Sequence, residues 1–165
     1  MAVDMFLNLG ATIKGETQDS AQKAAGDIDV LAWSWGASNS GSFHTGGGGG
    51  AGKANFQDIS ITNYLDKASP AILIALAKGA HIPEAKLLVR KAGEGQQKYL
   101  EMTLTKVLVT SLSTGGSGGE DRLTENVTLN FGKVTFAYTP QDSKGTVAGD
   151  KTFTWNIAEN DGNVA

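Results

Sequence analysis

Two glycine-rich segments carry partial matches to motifs that do chemistry. The first, residues 46–53, reads GGGGGAGK and has the spacing of a phosphate-binding loop as far as Lys53. Such a loop continues with Ser or Thr, whose hydroxyl ligates Mg²⁺, and leads into a helix whose N-terminus binds phosphate. Here Ala54 follows, and residues 55–62 alternate as in a strand. The segment therefore argues against nucleotide binding.

The second segment, residues 115–119, reads GGSGG and matches the letters of a nucleophile elbow around Ser117. An elbow needs an apolar strand before the serine and a helix after it. A charged turn and then another strand-like stretch follow here. This favours a flexible connection over a catalytic serine.

The acidic and histidine residues also fail to form a convincing site. Asp27 and Asp29 would point to one side of a regular strand, and paired carboxylates can do acid–base chemistry. At the start of a strand, however, such charges are usually solvated, so we expect an exposed edge. With no cysteine and only His44 and His81, a thiolate or multi-histidine metal site within one chain is excluded. We predict no enzyme activity, no metal and no cofactor.

Composition narrows the function further. The 165 residues carry 14 Lys plus Arg against 17 Asp plus Glu, a formal net charge of −3 that argues against nucleic-acid binding. No basic stretch followed by an apolar run marks a signal peptide, and the longest apolar run, residues 71–77, is too short to span a membrane. We expect a cytoplasmically made, soluble chain with one domain over residues 1–165.

Alternating patterns predict about seven antiparallel strands, which is typical of a β-barrel or a two-sheet domain. Residues 1–10 and 27–36 are the first two, and Trp33 and Trp35 would lie on the face opposite Ile28 and Val30. From residue 86 onward the chain alternates, with a hairpin at 93–95. In the strand predicted over residues 97–112, the alternating pattern places Leu108 on the same face as Leu100. After residue 131 the apolar residues move from odd-numbered to even-numbered positions, which is interpreted as a β-bulge at Gly132.

One short helix is predicted, with Ser69 as its N-cap, Pro70 at its first position and Gly79 at its end. Before it lies an unusual segment, residues 36–52, which contains no Asp, Glu, Lys or Arg and is rich in glycine. Ordering so much glycine is entropically costly. Either this segment stays mobile or a partner holds it, and Phe43 is its only large apolar group.

In this order and spacing, several stretches resemble the haemolysin-coregulated protein (Hcp) family of type VI secretion systems, over residues 1 to about 160. They are AWSWG (32–36), GGGGGAGK (46–53), LDKASP (65–70), RKAG (90–93), YL (99–100), EDRLTENVTLNF (120–131) and WNI (155–157). Five of their residues serve as family markers: Trp33, Trp35, Ser69, Pro70 and Trp155.

The resemblance implies a mainly β domain, an antiparallel barrel with one short helix, that assembles into a hexameric ring. Rings would stack into a tube inside a contractile sheath, and the tube, tipped by a spike protein, would be expelled from the cell. The ring lumen would carry and protect effector proteins. The chain looks like the tube subunit alone, without the C-terminal toxin domain that some members carry.

Two groups of site residues follow as expectations. A ring-stacking contact is assigned to Phe43 and the glycine run Gly46, Gly47, Gly48, Gly49 and Gly50. Ser34 points away from both neighbouring tryptophans in a regular strand, so we predict that it faces the lumen; the other interpretation is a buried strand serine. The alternative function is a monomeric β-barrel that binds a ligand under a glycine-rich lid.

Overall fold

The computed structural model describes residues 2–41, 43, 50, 52–92, 95–142 and 144–165. These residues form one helix and eleven strands, more than the sequence pattern predicted, because several strands are only two to four residues long. The elements are β1 (Val3–Asn8), β2 (Ile28–Ser34), β3 (Ala37–Ser38), β4 (Asn55–Phe56), β5 (Ile59–Tyr64), α1 (Ala68–Lys78), β6 (Ile82–Lys91), β7 (Lys98–Gly115), β8 (Thr124–Asn130), β9 (Lys133–Tyr138), β10 (Lys151–Asn156) and β11 (Asp161–Val164).

Six strands close into an antiparallel barrel. They pair in the order β7–β6–β1–β2–β5–β8, and β8 pairs back onto β7. The strands β9, β10 and β11 extend the sheet outward from β7, and β3 pairs with β4 as a separate ribbon. The helix α1 packs against β7. This confirms the predicted antiparallel barrel with one short helix.

The long strand β7 belongs to both the barrel and the extension. Its first part pairs with β9 and its second part with β8, and the change occurs at Lys106, which has a left-handed φ of 55°. The bulge predicted at Gly132 is therefore wrong: that residue lies between β8 and β9, and its N–H donates to the Thr105 carbonyl oxygen at 2.9 Å. Because the alternation of buried and exposed side chains reverses at Lys106, Val107 is buried in the core and Leu108 is not.

A second irregularity lies in β2. The register shifts between Val30 and Ala32, which leaves Leu31 41% exposed and turns Trp33 to the same side as Val30. The prediction that the tryptophans lie opposite Ile28 and Val30 assumed a regular strand and is wrong, because both Trp33 and Trp35 pack against the core. One face of β2 packs on the core and the other is open.

The helix begins two residues earlier than predicted, at Ala68 instead of Pro70. Ser69 and Pro70 are its second and third residues, and Lys67 occupies the cap position without a side-chain cap. The first turn is closed instead by Asp66, whose Oδ1 accepts the Ala68 N–H at 2.9 Å, and by the Ser69 Oγ, which accepts the Asp66 N–H at 3.1 Å. The helix ends as predicted, at Gly79 with a φ of 62°.

The barrel interior holds the hydrophobic core, and Asp27 is buried beside the segment over residues 14–26. This carboxylate is 4% exposed and accepts a hydrogen bond from Asn8 Nδ2 at 2.7 Å, so the predicted solvated pair is wrong and only Asp29 is exposed. Burial raises the pKa of Asp27. The helix in the described part of the chain is too short to span a membrane. The largest fully buried apolar side chains are Leu9, Ile28, Ile59, Ile61, Ile72, Leu87, Met102, Leu104 and Leu129.

Candidate assembly surfaces

A short two-stranded ribbon, which we call the arm, follows β2 and is described at residues 36–41 and 52–57. At its base β3 pairs with β4, with Ala37 opposite Phe56, and the Gln57 N–H donates to the Gly36 carbonyl oxygen at 2.9 Å. Further out, the Gly52 N–H donates to the Ser40 carbonyl oxygen at 3.0 Å. The segment predicted to be a structureless loop is therefore a paired ribbon along its described base.

Aromatic side chains fix this base to the barrel. Trp35 stacks on Phe56 with ring centroids 6.0 Å apart and on Phe136 at 6.1 Å, and its Nε1 donates to the Gln57 carbonyl oxygen at 3.0 Å. Phe56 also contacts Trp155 on β10 at 5.8 Å. Two of the family-marker tryptophans thus meet in one cluster, which holds the arm against the sheet extension. The third, Trp33, packs on the core.

Toward its tip the arm presents Phe43, whose side chain is 84% exposed. Gly50 is also exposed, whereas Gly46, Gly47, Gly48 and Gly49 lie outside the described residues. A phenyl ring with this exposure makes almost no contact within its own chain, so within the single chain it contributes little to stability. The ring-stacking assignment of these residues stays a prediction.

A second surface covers the outer side of β2, β5, β8 and β7. In the strand register Ser34 lies opposite Ser60, Ser60 opposite Thr128, and Thr128 opposite Ser111, which makes one row of hydroxyls across four strands. The neighbouring row is formed by Thr62, Asn126 and Ser113. We call this surface the hydroxyl face; its residues are Ser34, Ser60, Thr62, Thr110, Ser111, Ser113, Asn126, Thr128 and Asn130.

The hydroxyl face is neutral. Its side chains bond mainly to one another, with Ser111 Oγ 2.6 Å from Thr128 Oγ1 and Thr62 Oγ1 donating to Asn126 Oδ1 at 2.7 Å. The acid at its margin, Asp58, accepts hydrogen bonds from Thr110 Oγ1 at 2.7 Å and Asn130 Nδ2 at 2.9 Å. Ser34 is exposed on this face, so the interpretation as a buried strand serine is wrong for the single chain.

Sequence reasoning singled out Ser34 but missed the rest of the face. The signal was present, because Ser60 and Thr62 alternate with buried isoleucines, and Asn126, Thr128 and Asn130 alternate with buried apolar residues. That alternation shows that each strand has a polar side. Only the sheet register shows that the four polar sides lie next to each other.

The residues weighed for chemistry are not brought together. His81 is exposed, His44 lies outside the described residues, and Ser117 is in an exposed turn beyond β7. No group of three or more His, Asp or Glu side chains that could hold a metal ion occurs in the parts of the chain the structure describes.

Comparison with known proteins identifies the family. The family described as "Type VI secretion system effector, Hcp" matches residues 6–138. The chain is 57% identical over 162 residues to "Protein hcp1" of Pseudomonas aeruginosa, covering 97% of this chain and 98% of the relative.

Solved structures agree with this match. Hcp1 from Salmonella typhimurium superposes with a TM-score of 0.78 at 32% identity, covering 99% of this chain and all of that one. A type VI secretion system effector from Yersinia pestis superposes with a TM-score of 0.75 at 30% identity, covering 93% of this chain and all of that one. Members of this family are structural, secreted proteins of the type VI system and not enzymes. The chain belongs to the Hcp family of type VI secretion system proteins.

Proposed function

We propose that the chain is the tube subunit of its secretion system, with six copies in a ring, rings stacked into a tube, and effector proteins carried in the lumen. The observation that carries the proposal is the hydroxyl face, which is exposed, neutral and continuous over four strands. A wall of short hydroxyl side chains offers hydrogen bonds to many cargo surfaces without a fixed charge that would hold any one of them. Such a surface suits transient contact with cargo.

Within this proposal Ser34 contacts cargo. It lies at the end of β2 on the rim of the hydroxyl face, where its short side chain leaves space in the lumen. A longer neutral side chain at this position would fill that space without adding charge.

The arm makes the ring-to-ring contact. Phe43 is 84% exposed among the described residues, and a glycine run such as residues 46–50 loses much conformational freedom when it is ordered. A neighbouring ring supplies the apolar surface that offsets this loss. Stacking of this kind is heterologous, with different surfaces on the two partners, and it continues indefinitely along the tube axis.

The remaining partners follow from the same assignment. The spike protein caps the tube and the contractile sheath surrounds it, and the chain is made in the cytoplasm and exported by the system itself. No nucleic acid, membrane insertion or cofactor is required for this role. The net charge of −3 agrees with partners that are proteins.

Oligomeric state is the first test. Size exclusion with light scattering should give a mass near six times the 17.1 kDa of the chain, with annular particles in negative stain. A monomer at high concentration would refute the ring and favour the ligand-binding barrel with a glycine-rich lid.

Cargo binding is tested with Ser34→Gln. This variant should keep the ring mass but retain less co-expressed effector, whereas Ser117→Gln makes the same exchange in an exposed turn off the hydroxyl face and should change nothing. Equal retention by both variants would remove Ser34 from the cargo surface.

Stacking is tested by deleting three glycines from residues 46–50, with a matched deletion of three residues from 115–119. We expect the first deletion to abolish tubes and keep rings, and the second to keep both. Tubes that persist after the first deletion would contradict the role of the arm.

A further inference from the structure

The outward side of α1 is apolar and uncovered. Pro70, Leu73, Ile74 and Ala77 repeat at the spacing of one helical face, and Leu73 and Ile74 are 51% and 52% exposed. The opposite side of the helix, with Ile72 and Ala75, is buried in the core. A helix that is apolar on both sides is normally covered on both sides. We call the exposed residues the outer stripe.

A cleft of about 320 Å³ runs beside the outer stripe, between α1 and the neighbouring ends of β7 and β8. Pro70 and Leu73 belong to both the stripe and the cleft, and Leu65 and Leu112 add further apolar lining. Two carboxylates, Asp66 and Glu125, line the same cleft. The outer stripe and the cleft therefore form one continuous apolar surface with two carboxylates at the cleft end.

Glu125, one of the two carboxylates that line this cleft, has an acceptor oxygen without a partner among the described residues. The residue is 1% exposed, and its Oε1 accepts hydrogen bonds from Asn63 Nδ2 and from Ser69 Oγ, each at 2.9 Å. Its Oε2 is buried and has no hydrogen-bond partner among the described residues. A buried carboxylate oxygen without a donor is unfavourable, and nearly all such groups in folded proteins are satisfied.

The chemistry of the surface selects its occupant. A donor that crosses apolar lining to reach a carboxylate is a lysine or arginine, whose aliphatic stem packs on leucine while its charged end bonds the oxygen. Anchors at the spacing of the outer stripe match a second helix lying along α1. A second copy of α1 would pair about a two-fold axis, which the head-to-tail ring does not contain. This last step, and only this step, rests on the function proposed above.

We propose that the outer stripe and the Glu125 cleft are a docking site for an amphipathic helix of a different protein, which packs apolar side chains on Leu73 and Ile74 and donates to Glu125 from a lysine or arginine. The site is separate from the arm and from the hydroxyl face. It provides each subunit with a contact directed away from its own barrel core.

The probe is a stapled amphipathic peptide of about four helical turns, with leucines on one side and one central lysine. A second peptide replaces the lysine by norleucine, which keeps the stem and removes the ammonium group. Each is titrated into the purified full-length protein by fluorescence anisotropy, with the mass of the protein checked in parallel. We expect the lysine peptide to bind about tenfold or more tighter than the norleucine peptide.

Three variants assign the binding to this site. Leu73→Asp should abolish binding of both peptides, and Glu125→Gln should bring their affinities together. Val147→Asp changes a comparably exposed apolar residue away from α1 and should change nothing.

Several results would overturn the proposal. They are equal affinity of the two peptides, binding that survives Leu73→Asp, and loss of the ring mass in Leu73→Asp, which would show that a second copy covers the stripe. A wild-type protein that is monomeric yet still prefers the lysine peptide would refute the ring and leave the docking site standing.

Discussion

Replacing Gly132 by alanine tests whether β7 changes partners at Lys106. A Cβ added at Gly132 would lie 3.3 Å from Lys106 Cβ and 3.4 Å from Lys106 Cδ, but an ordinary 3.7 Å from the Thr105 carbonyl oxygen. The Cδ can rotate away, whereas the Cβ moves only with the backbone of Lys106. Since Gly132 does not have a positive φ, the effect of alanine is steric.

The magnitudes follow from these contacts. Overpacking against Lys106 costs about 1–2 kcal/mol of folded-state stability, and the gain of about 0.5 kcal/mol from a less flexible unfolded chain offsets part of it. Gly132→Ala alone should therefore lower the free energy of unfolding by about 1 kcal/mol. Lys106→Gly removes both close contacts and relieves the left-handed conformation, so Gly132→Ala in that background should be neutral or stabilising. The expected coupling is about 1.5 kcal/mol, within the range seen for residues in contact.

The assay is urea unfolding of the wild type, the two single variants and the double variant, followed by far-ultraviolet circular dichroism. All four are measured at one protein concentration, because assembly adds to the apparent stability. The slope of the unfolding free energy against urea should stay constant if only the folded state changes. Additive effects, within about 0.4 kcal/mol, would refute a direct contact between Gly132 and Lys106.

Three further perturbations have defined outcomes. Arg90 is 4% exposed, forms an ion pair with Asp19 and lies over the Phe6 ring. Arg90→Met should therefore release residues 14–26 and raise the rate of their amide hydrogen exchange. Lys86→Met, as the control, should leave that rate unchanged. Because the pKa of Asp27 is raised, the folded state holds the proton of this carboxyl more tightly than the unfolded state does. The free energy of unfolding should therefore fall as the pH rises from the ordinary pKa of 3.8 through the folded pKa. Asp27→Asn should remove this pH dependence, measured as the urea midpoint at a series of pH values. Trp35→Ala should lower the free energy of unfolding by about 3 kcal/mol and increase proteolysis of the arm. Trp35→Phe keeps an aromatic ring and should lower the free energy of unfolding by about 1 kcal/mol. Equal losses in the two variants would show that the stacking contributes nothing.

The regular elements were predictable because their patterns are local. The end of α1 at Gly79 and the hairpin between β6 and β7 followed from residue types and period. The helix start was misplaced because the first turn is closed by Asp66, three positions before the predicted cap Ser69. Predictions were also wrong wherever the strand period breaks, since nothing in the residue types signals the left-handed conformation of Lys106 or the register shift beside Leu31.

The candidate surfaces show the same division. Ser34 could be placed on the open side of β2 from its position between two tryptophans, and the arm could be singled out because it lacks charge. The aromatic cluster under the arm joins Trp35, Phe56 and Trp155, which are far apart in the chain, so no local pattern could reveal it. In the sequence Glu125 looks like an ordinary strand residue. Its burial, with one carboxylate oxygen that has no partner among the described residues, depends on the helix that covers it.

The mainly β class, the short helix and the family follow from the order of the residues, because hydrophobic period, turn residues and motif spacing are properties of the chain read in order. The strands that close the barrel, the register shift in β2 and the left-handed residue in β7 are visible only in the folded chain. The same is true of the polar residues that share the hydroxyl face. The physical reason is that strand pairing joins residues far apart in sequence, and a single left-handed residue reverses which side of a strand faces the core.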